Sequence, residues 1–176
     1  GKGIGKDPAE AARWWRKAAE QGDARSQYNL GNLHYQADGD LKDWREAARW
    51  WRKAAEQGSA DAQYNLGLAY DQGHGVTEDA AEAALWYRKA AESERVEAQH
   101  NLGVFYALGR GVERDLIQAY AWLDLASTQG DPEASRVKQS LSKQMTADQV
   151  EAGRKLSVEL FYRIEKRKEQ SKDHAG

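Results

Sequence analysis

Ala62-Gln63-Tyr64-Asn65-Leu66-Gly67-Leu68-Ala69-Tyr70 is followed, after Gly73-His74-Gly75-Val76, by Ala83-Ala84-Leu85-Trp86-Tyr87-Arg88-Lys89-Ala90-Ala91. In the first block Ala62, Leu66, Ala69 and Tyr70 return at helical intervals, and Ala83, Trp86, Tyr87 and Ala90 do so in the second, so each block carries one apolar helix face. Moving outward by 36 residues reproduces the pattern. Trp14, Trp50, Trp86 and Trp122 stand in phase, as do Ala11, Ala47, Ala83 and Ala119, and Leu30-Gly31, Leu66-Gly67 and Leu102-Gly103. Asp7, Asp43, Asp79 and Asp115 and then Gly3, Gly39, Gly75 and Gly111 share the offset. A strandless period of this length holds two helices and two turns, and each unit buries its apolar face only against its neighbours.

Composition agrees. The 176 residues include 29 Ala but only 13 Val, Ile and Thr together, which favours helix over sheet. With 26 Lys+Arg against 28 Asp+Glu the formal charge is −2, so no basic surface for nucleic acid is expected. There is no cysteine, which excludes disulfide frameworks and thiolate chemistry. Mean hydropathy is −0.91, and no apolar run approaches the roughly 18 residues of a transmembrane segment.

Caps place the helices. Asp7, Asp43, Asp79 and Asp115 precede Glu10, Glu46, Glu82 and Gln118 by three residues, the spacing of a reciprocal capping box. The helices they open are expected to run to Glu20, Glu56, Glu92 and about Thr128. Gly22, Gly58 and Gly130 then supply left-handed turns, with Glu94 in that place in the third copy. The alternate helices are expected after Asp23, Ser59, Arg95 and Asp131. Mid-helix Gly31, Gly67 and Gly103 imply close helix approach. A final capping box, Thr146 to Gln149, opens a terminal helix ending in Lys166-Arg167-Lys168, read as a solvated end. The expected organisation is a partial repeat at 1–22, truncated upstream, repeats at 23–58, 59–94 and 95–130, a terminal repeat with capping helix at 131–169, and a frayed tail at 170–176.

Ala-x-Tyr-Asn-Leu-Gly-x-x-Tyr, Gly-x-Gly-Val and Ala-x-x-Trp-Tyr-x-Lys-Ala-Ala together resemble the Sel-one-like repeat, a 36-residue relative of the tetratricopeptide repeat, over residues 1 to about 145. The resemblance implies an all-α fold, an α-α superhelix: a right-handed solenoid of antiparallel helix pairs with a C-terminal capping helix. It also implies a bacterial interaction scaffold of the periplasm or cell envelope, with the first helix of each pair lining the inner surface. The second copy departs at Ala37-Asp38-Gly39-Asp40-Leu41 and at His34, which replaces Tyr70 and Tyr106.

Catalysis has little to work with. His34, His74, His100 and His174 are isolated and lack metal-pair spacing, and the Gly-x-Gly turns follow no strand, so they are not phosphate cradles. No enzyme activity and no cofactor are expected. Arg52-Lys53 and Arg88-Lys89 are read as partners of Glu56 and Glu92 one turn on. What remains is a protein or peptide partner held in a groove by Arg25, Tyr28, Asn29 and Asn32, by Asp61, Tyr64, Asn65 and Leu68, and by Glu97, His100, Asn101 and Val104. Asn29, Asn65 and Asn101 either read the backbone of an extended peptide or are repeat residues bonding a neighbouring turn. Trp44, an aromatic the repeat does not require, either fills the atypical turn with Leu41 or projects as a binding anchor. An alternative role is a structural or regulatory spacer module in a longer multidomain protein, and the first helix, lacking an upstream partner, is expected to expose Trp14 or Trp15 for self-association.

Overall fold

The computed structural model describes residues 8–36 and 42–173. These form α1 (Pro8–Glu20), α2 (Ala24–Gln36), α3 (Trp44–Glu56), α4 (Ala60–Gln72), α5 (Ala80–Glu92), α6 (Val96–Leu108), α7 (Leu116–Thr128), α8 (Pro132–Ser142) and α9 (Ala147–Asp173). The fold is all-α among the described residues. The chain divides into two compact units, Gly1–Asp79 with α1 to α4 and Ala80–Gly176 with α5 to α9.

The helix limits follow from the caps. The Asp43 carboxylate accepts from the amides of Arg45 and Glu46, and the Asp115 carboxylate from those of Ile117 and Gln118. Only half of the expected reciprocal box forms at these sites. The Asp43, Asp79 and Asp115 amides donate instead to the carbonyls of His34, Tyr70 and Tyr106, near the ends of the preceding helices. The Glu46 side chain turns to Arg49 and that of Glu82 accepts from the Trp86 indole. Thr146 and Gln149 do complete the box, with bonds of 2.9 and 3.2 Å in the two directions. The Asp7 cap and the 37–41 turn, Leu41 included, lie outside the described residues.

Packing in the first unit centres on Ala19, Leu30 and Trp50, with Leu33 against them. A Cβ on Gly31 would fall 2.5 Å from the Trp51 ring, so the glycine admits the close approach of α2 and α3. In the second unit Gly103 does the same for Leu123 on α7, and Tyr87 meets Phe105 edge-on at 5.3 Å. Buried amides recur with the repeat: Gln27, Gln63 and Gln99 donate to the carbonyls of Ala19, Ala55 and Ala91, satisfying groups that a helix end leaves unpaired.

Two expectations are corrected. Arg52 and Arg88 donate to the hydroxyls of Tyr70 and Tyr106, while Lys53 and Lys89 lie over the Trp50 and Trp86 rings at 4.5 and 3.9 Å. Both cations gain more over a half-covered aromatic than in an exposed i, i+3 pair. Nor is the basic end of α9 merely solvated, for Arg167 pairs with Glu92 and Lys168 with Glu94, each at 2.6 Å. Glu94 adopts a left-handed backbone with φ of 62°. Its carboxylate at that turn gives Lys168 a partner that glycine could not supply.

Candidate functional site

In the first unit the outward faces of α2 and α4 meet over a cavity of about 190 Å³. Its wall is aromatic, from Tyr28, Tyr35, Trp51 and His74, with Leu68 and Ala69 as the aliphatic part and four carboxamides, Asn32, Gln36, Asn65 and Gln72, completing the lining. Positions 28, 32 and 35 come from one stripe of α2, and 65, 68 and 72 from one stripe of α4, as i, i+3 and i+4 spacing dictates.

The cavity is fixed by a small polar network. Asn32 Oδ1 accepts from the Trp51 indole and from Asn65 Nδ2, both at 3.0 Å. The Asn32 amide group and Asn65 Oδ1 take no part in these bonds and remain at the lining. Tyr35 packs 5.3 Å from Trp51 and 6.2 Å from His74, and His74 stacks on Trp44 at 4.1 Å. Lys42 Nζ lies 5.6 Å from the Trp44 ring centre, and Trp44 is 38% exposed. The turn that delivers His74 depends on Gly75, whose φ is 76° and whose missing Cβ lets the turn rest against the Trp44 carbonyl.

Of the sequence-predicted groove residues, Tyr28, Asn32, Asn65 and Leu68 line this cavity, while Arg25 is exposed and Asn29, Asp61 and Tyr64 are partly buried beside it in the chain. In unit two, Glu97 pairs with Arg95 at 3.0 Å and His100 Nδ1 meets the Asp131 carboxylate at 2.9 Å, with Asn101 and Val104 partly buried. Asp131 is an N-cap. Burial pushes its carboxyl up, but the amides of Ala134 and Glu133 together with His100 outweigh that and hold it below the usual range. Asn65 bonds a neighbouring helix rather than a turn, through Asn32, whose repeat equivalents are Leu68 and Val104.

Sequence reasoning missed Tyr35, Gln36, Trp51, Gln72 and His74. Tyr35 and Gln72 continue the stripes already identified, so extending each by one turn finds them. Trp51 and His74 come from the second helix and the turn, and only the packing brings them to the face. A polar junction was also missed: Lys138 pairs with Asp124 at 2.8 Å, Asp124 accepts from Ser157 at 2.7 Å, and Ser127 meets Ser135 at 2.6 Å, tying α7, α8 and α9 together. Among the described residues no group of three or more His, Cys, Asp or Glu could hold a metal, and no helix is long and apolar enough to cross a membrane.

The chain is similar in structure to several solved proteins. A protective antigen present in uropathogenic Escherichia coli strains displaying an SLR fold matches with a TM-score of 0.84 and 40% identity, over 93% of this chain. This chain spans 35% of that one. A Sel1 repeat protein from Oxalobacter formigenes matches with a TM-score of 0.76 and 35% identity, covering 89% of this chain and 67% of its own. The Helicobacter pylori cysteine rich protein B matches with a TM-score of 0.59 and 25% identity, covering 78% and 98%. No curated protein matches significantly. The Sel1 repeat model matches residues 1–23, 24–59, 60–94 and 96–131. Such repeats form a family of non-catalytic scaffolds that generally mediate protein–protein interaction. With four successive copies over most of its length, the chain belongs to the Sel1 repeat family.

Proposed function

We propose that the chain is a non-catalytic scaffold whose first unit holds an extended segment of a partner protein across α2 and α4. The observation that carries this reading is the aromatic and carboxamide cavity beside Trp44. At about 190 Å³ it is smaller than the roughly 300–1,000 Å³ of pockets that enclose a whole small molecule, and it suits one inserted side chain. Tyr and Trp offer large contact area with few rotatable bonds, and the Asn32 and Asn65 groups at the lining suit the donors and acceptors of a peptide backbone. Arg25, Asn29, Asp61 and Tyr64 flank that path in our reading, with Glu97, His100, Asn101 and Val104 as the corresponding face of the second unit.

Selection of random peptides displayed on phage against the whole chain tests the proposal. Peptides should be enriched that bind wild type and lose at least about tenfold in affinity to Tyr35→Ser and to Trp44→Ala, the loss expected for removing an interface aromatic. Enrichment of peptides indifferent to both substitutions, or of none, overturns it.

A second reading is association with another copy through α1. It is favoured by Trp14, which is 63% exposed where its repeat equivalent Trp50 is 3% exposed. Sedimentation of wild type should then show a dimer that Trp14→Glu dissolves, whereas a wild-type monomer across the micromolar range removes this reading.

A further inference from the structure

The second unit carries a cleft that the groove reading does not use. It is lined by Ala107, Leu108, Arg114, Val137, Ser140, Leu141 and Gln144, and encloses about 380 Å³. Six of these positions lie 72 residues, two repeat periods, beyond Tyr35, Gln36, Asn65, Leu68, Ala69 and Gln72 of the first-unit cavity. The repeat therefore places a cleft of the same construction in each unit and fills it with different chemistry. The aromatic of position 35 is an alanine at 107, the carboxamides of 36 and 65 are Leu108 and Val137, and the lining now includes a guanidinium.

Two features point to what the cleft takes. Leu108 is 69% exposed at the end of α6, with Val137 and Leu141 opposite on α8, so a wide apolar floor faces solvent. Arg114 is the one lining residue with a full charge. Its Nε donates to the Ala107 carbonyl at 3.0 Å, which anchors the guanidinium at the rim and leaves its terminal nitrogens the geometry to meet a carboxylate. A basic ligand group would face this cation, and a wholly apolar one would leave it to water.

We propose that this cleft is a second docking site, which binds a protein segment carrying a large aliphatic residue next to an aspartate or glutamate, the aliphatic group on Leu108 and Val137 and the carboxylate on Arg114. It goes beyond the first-unit reading and stands or falls without it, because none of its lining residues belongs to that cavity.

The test uses the whole 15N-labelled chain and two blocked probe peptides, Gly-Ser-Leu-Asp-Gly-Ser and Gly-Ser-Leu-Lys-Gly-Ser. The Leu-Asp peptide should shift the amides of Leu108, Arg114, Val137 and Ser140, and bind about fivefold more tightly than the Leu-Lys peptide, the size of an exposed charge-pair preference. Arg114→Glu should reverse the order, and Leu108→Ala should weaken both peptides. Arg114 and Leu108 are exposed, so both variants should keep the wild-type dispersion of resonances. Equal binding of the two peptides, an order that Arg114→Glu leaves unchanged, shifts elsewhere than this cleft, or no binding at all overturns the proposal.

Discussion

The two clefts occupy the same repeat positions and differ in nearly everything a ligand would meet. In the first unit Tyr35, Gln36 and Asn65 join Trp51 and His74 in an aromatic and amide cavity, and in the second Ala107, Leu108 and Val137 make an open aliphatic cleft edged by Arg114. The backbone reason for the likeness is visible in the turns. Gly75 and Gly111 have φ of 76° and 66° and rest on the carbonyls of Trp44 and Ala80, the first residues of the corresponding second helices. Repetition thus fixes where a cleft opens, while the stripe residues, which packing within the repeat leaves unconstrained, fix what it accepts.

The largest effect that sharpens this contrast is in the wall that each cleft shares with the core. Trp51→Ala should lower stability by about 3–5 kcal/mol and its equivalent Leu123→Ala by about 2–5 kcal/mol, read from urea midpoints, because both side chains are buried against a glycine of the preceding helix. A near-neutral Trp51→Ala would mean that the aromatic wall is not part of the packing. Next come the turns themselves. Gly75→Ala and Gly111→Ala should each destabilise by roughly 1–3 kcal/mol, and by similar amounts, since both force a Cβ against a backbone carbonyl at positive φ. A large inequality would break the claim that one turn serves both units.

A smaller effect separates the N-caps of the fourth and eighth helices, which are repeat equivalents. Asp131 caps α8 and Ser59 caps α4, so replacing either by Ala should cost about 1 kcal/mol at pH 7. Because the folded-state pKa of Asp131 lies below its ordinary 3.8, its charged form contributes stability above that pH, and the contribution fades as pH falls through the folded value. Thermal melts from pH 7 to pH 2.5 should therefore show the Asp131→Ala penalty shrinking below about pH 4, with that of Ser59→Ala unchanged. A pH-independent Asp131→Ala penalty would contradict the charge-based cap. Trp44→Ala should be the mildest of all in stability, about 1 kcal/mol or less, since only a ring stack with His74 is lost from a partly exposed side chain.

Most of the helical framework was legible because its signals are local. An aspartate at each N-cap and glycine at positive φ in the turns set the limits of α3, α5 and α7, and even the strained place of Glu94 could be anticipated from its neighbours in the repeat. What escaped involves partners that local pattern cannot name. Gln27, Gln63 and Gln99 stand in phase as plainly as the tryptophans, yet their role appears only when the preceding helix end is seen beside them. The site divides the same way. Tyr28, Asn32, Asn65 and Leu68 follow from helical stripes, whereas Trp51 and His74 reach the cavity from other elements, and Trp44 proved to stack on His74, a contact neither of its two sequence readings contained.

The central claim is that the aromatic and amide cavity of the first unit is where a partner segment binds. The direct test is titration of the 15N-labelled chain with a phage-selected peptide, following the indole N–H of Trp51 and the side-chain amide of Asn65. Both groups bond to Asn32 Oδ1 in the unbound chain. The account predicts that both resonances move together with the amides of Tyr35 and His74 and saturate with one dissociation constant. A peptide that saturates the chain while these four signals stay in place would contradict it.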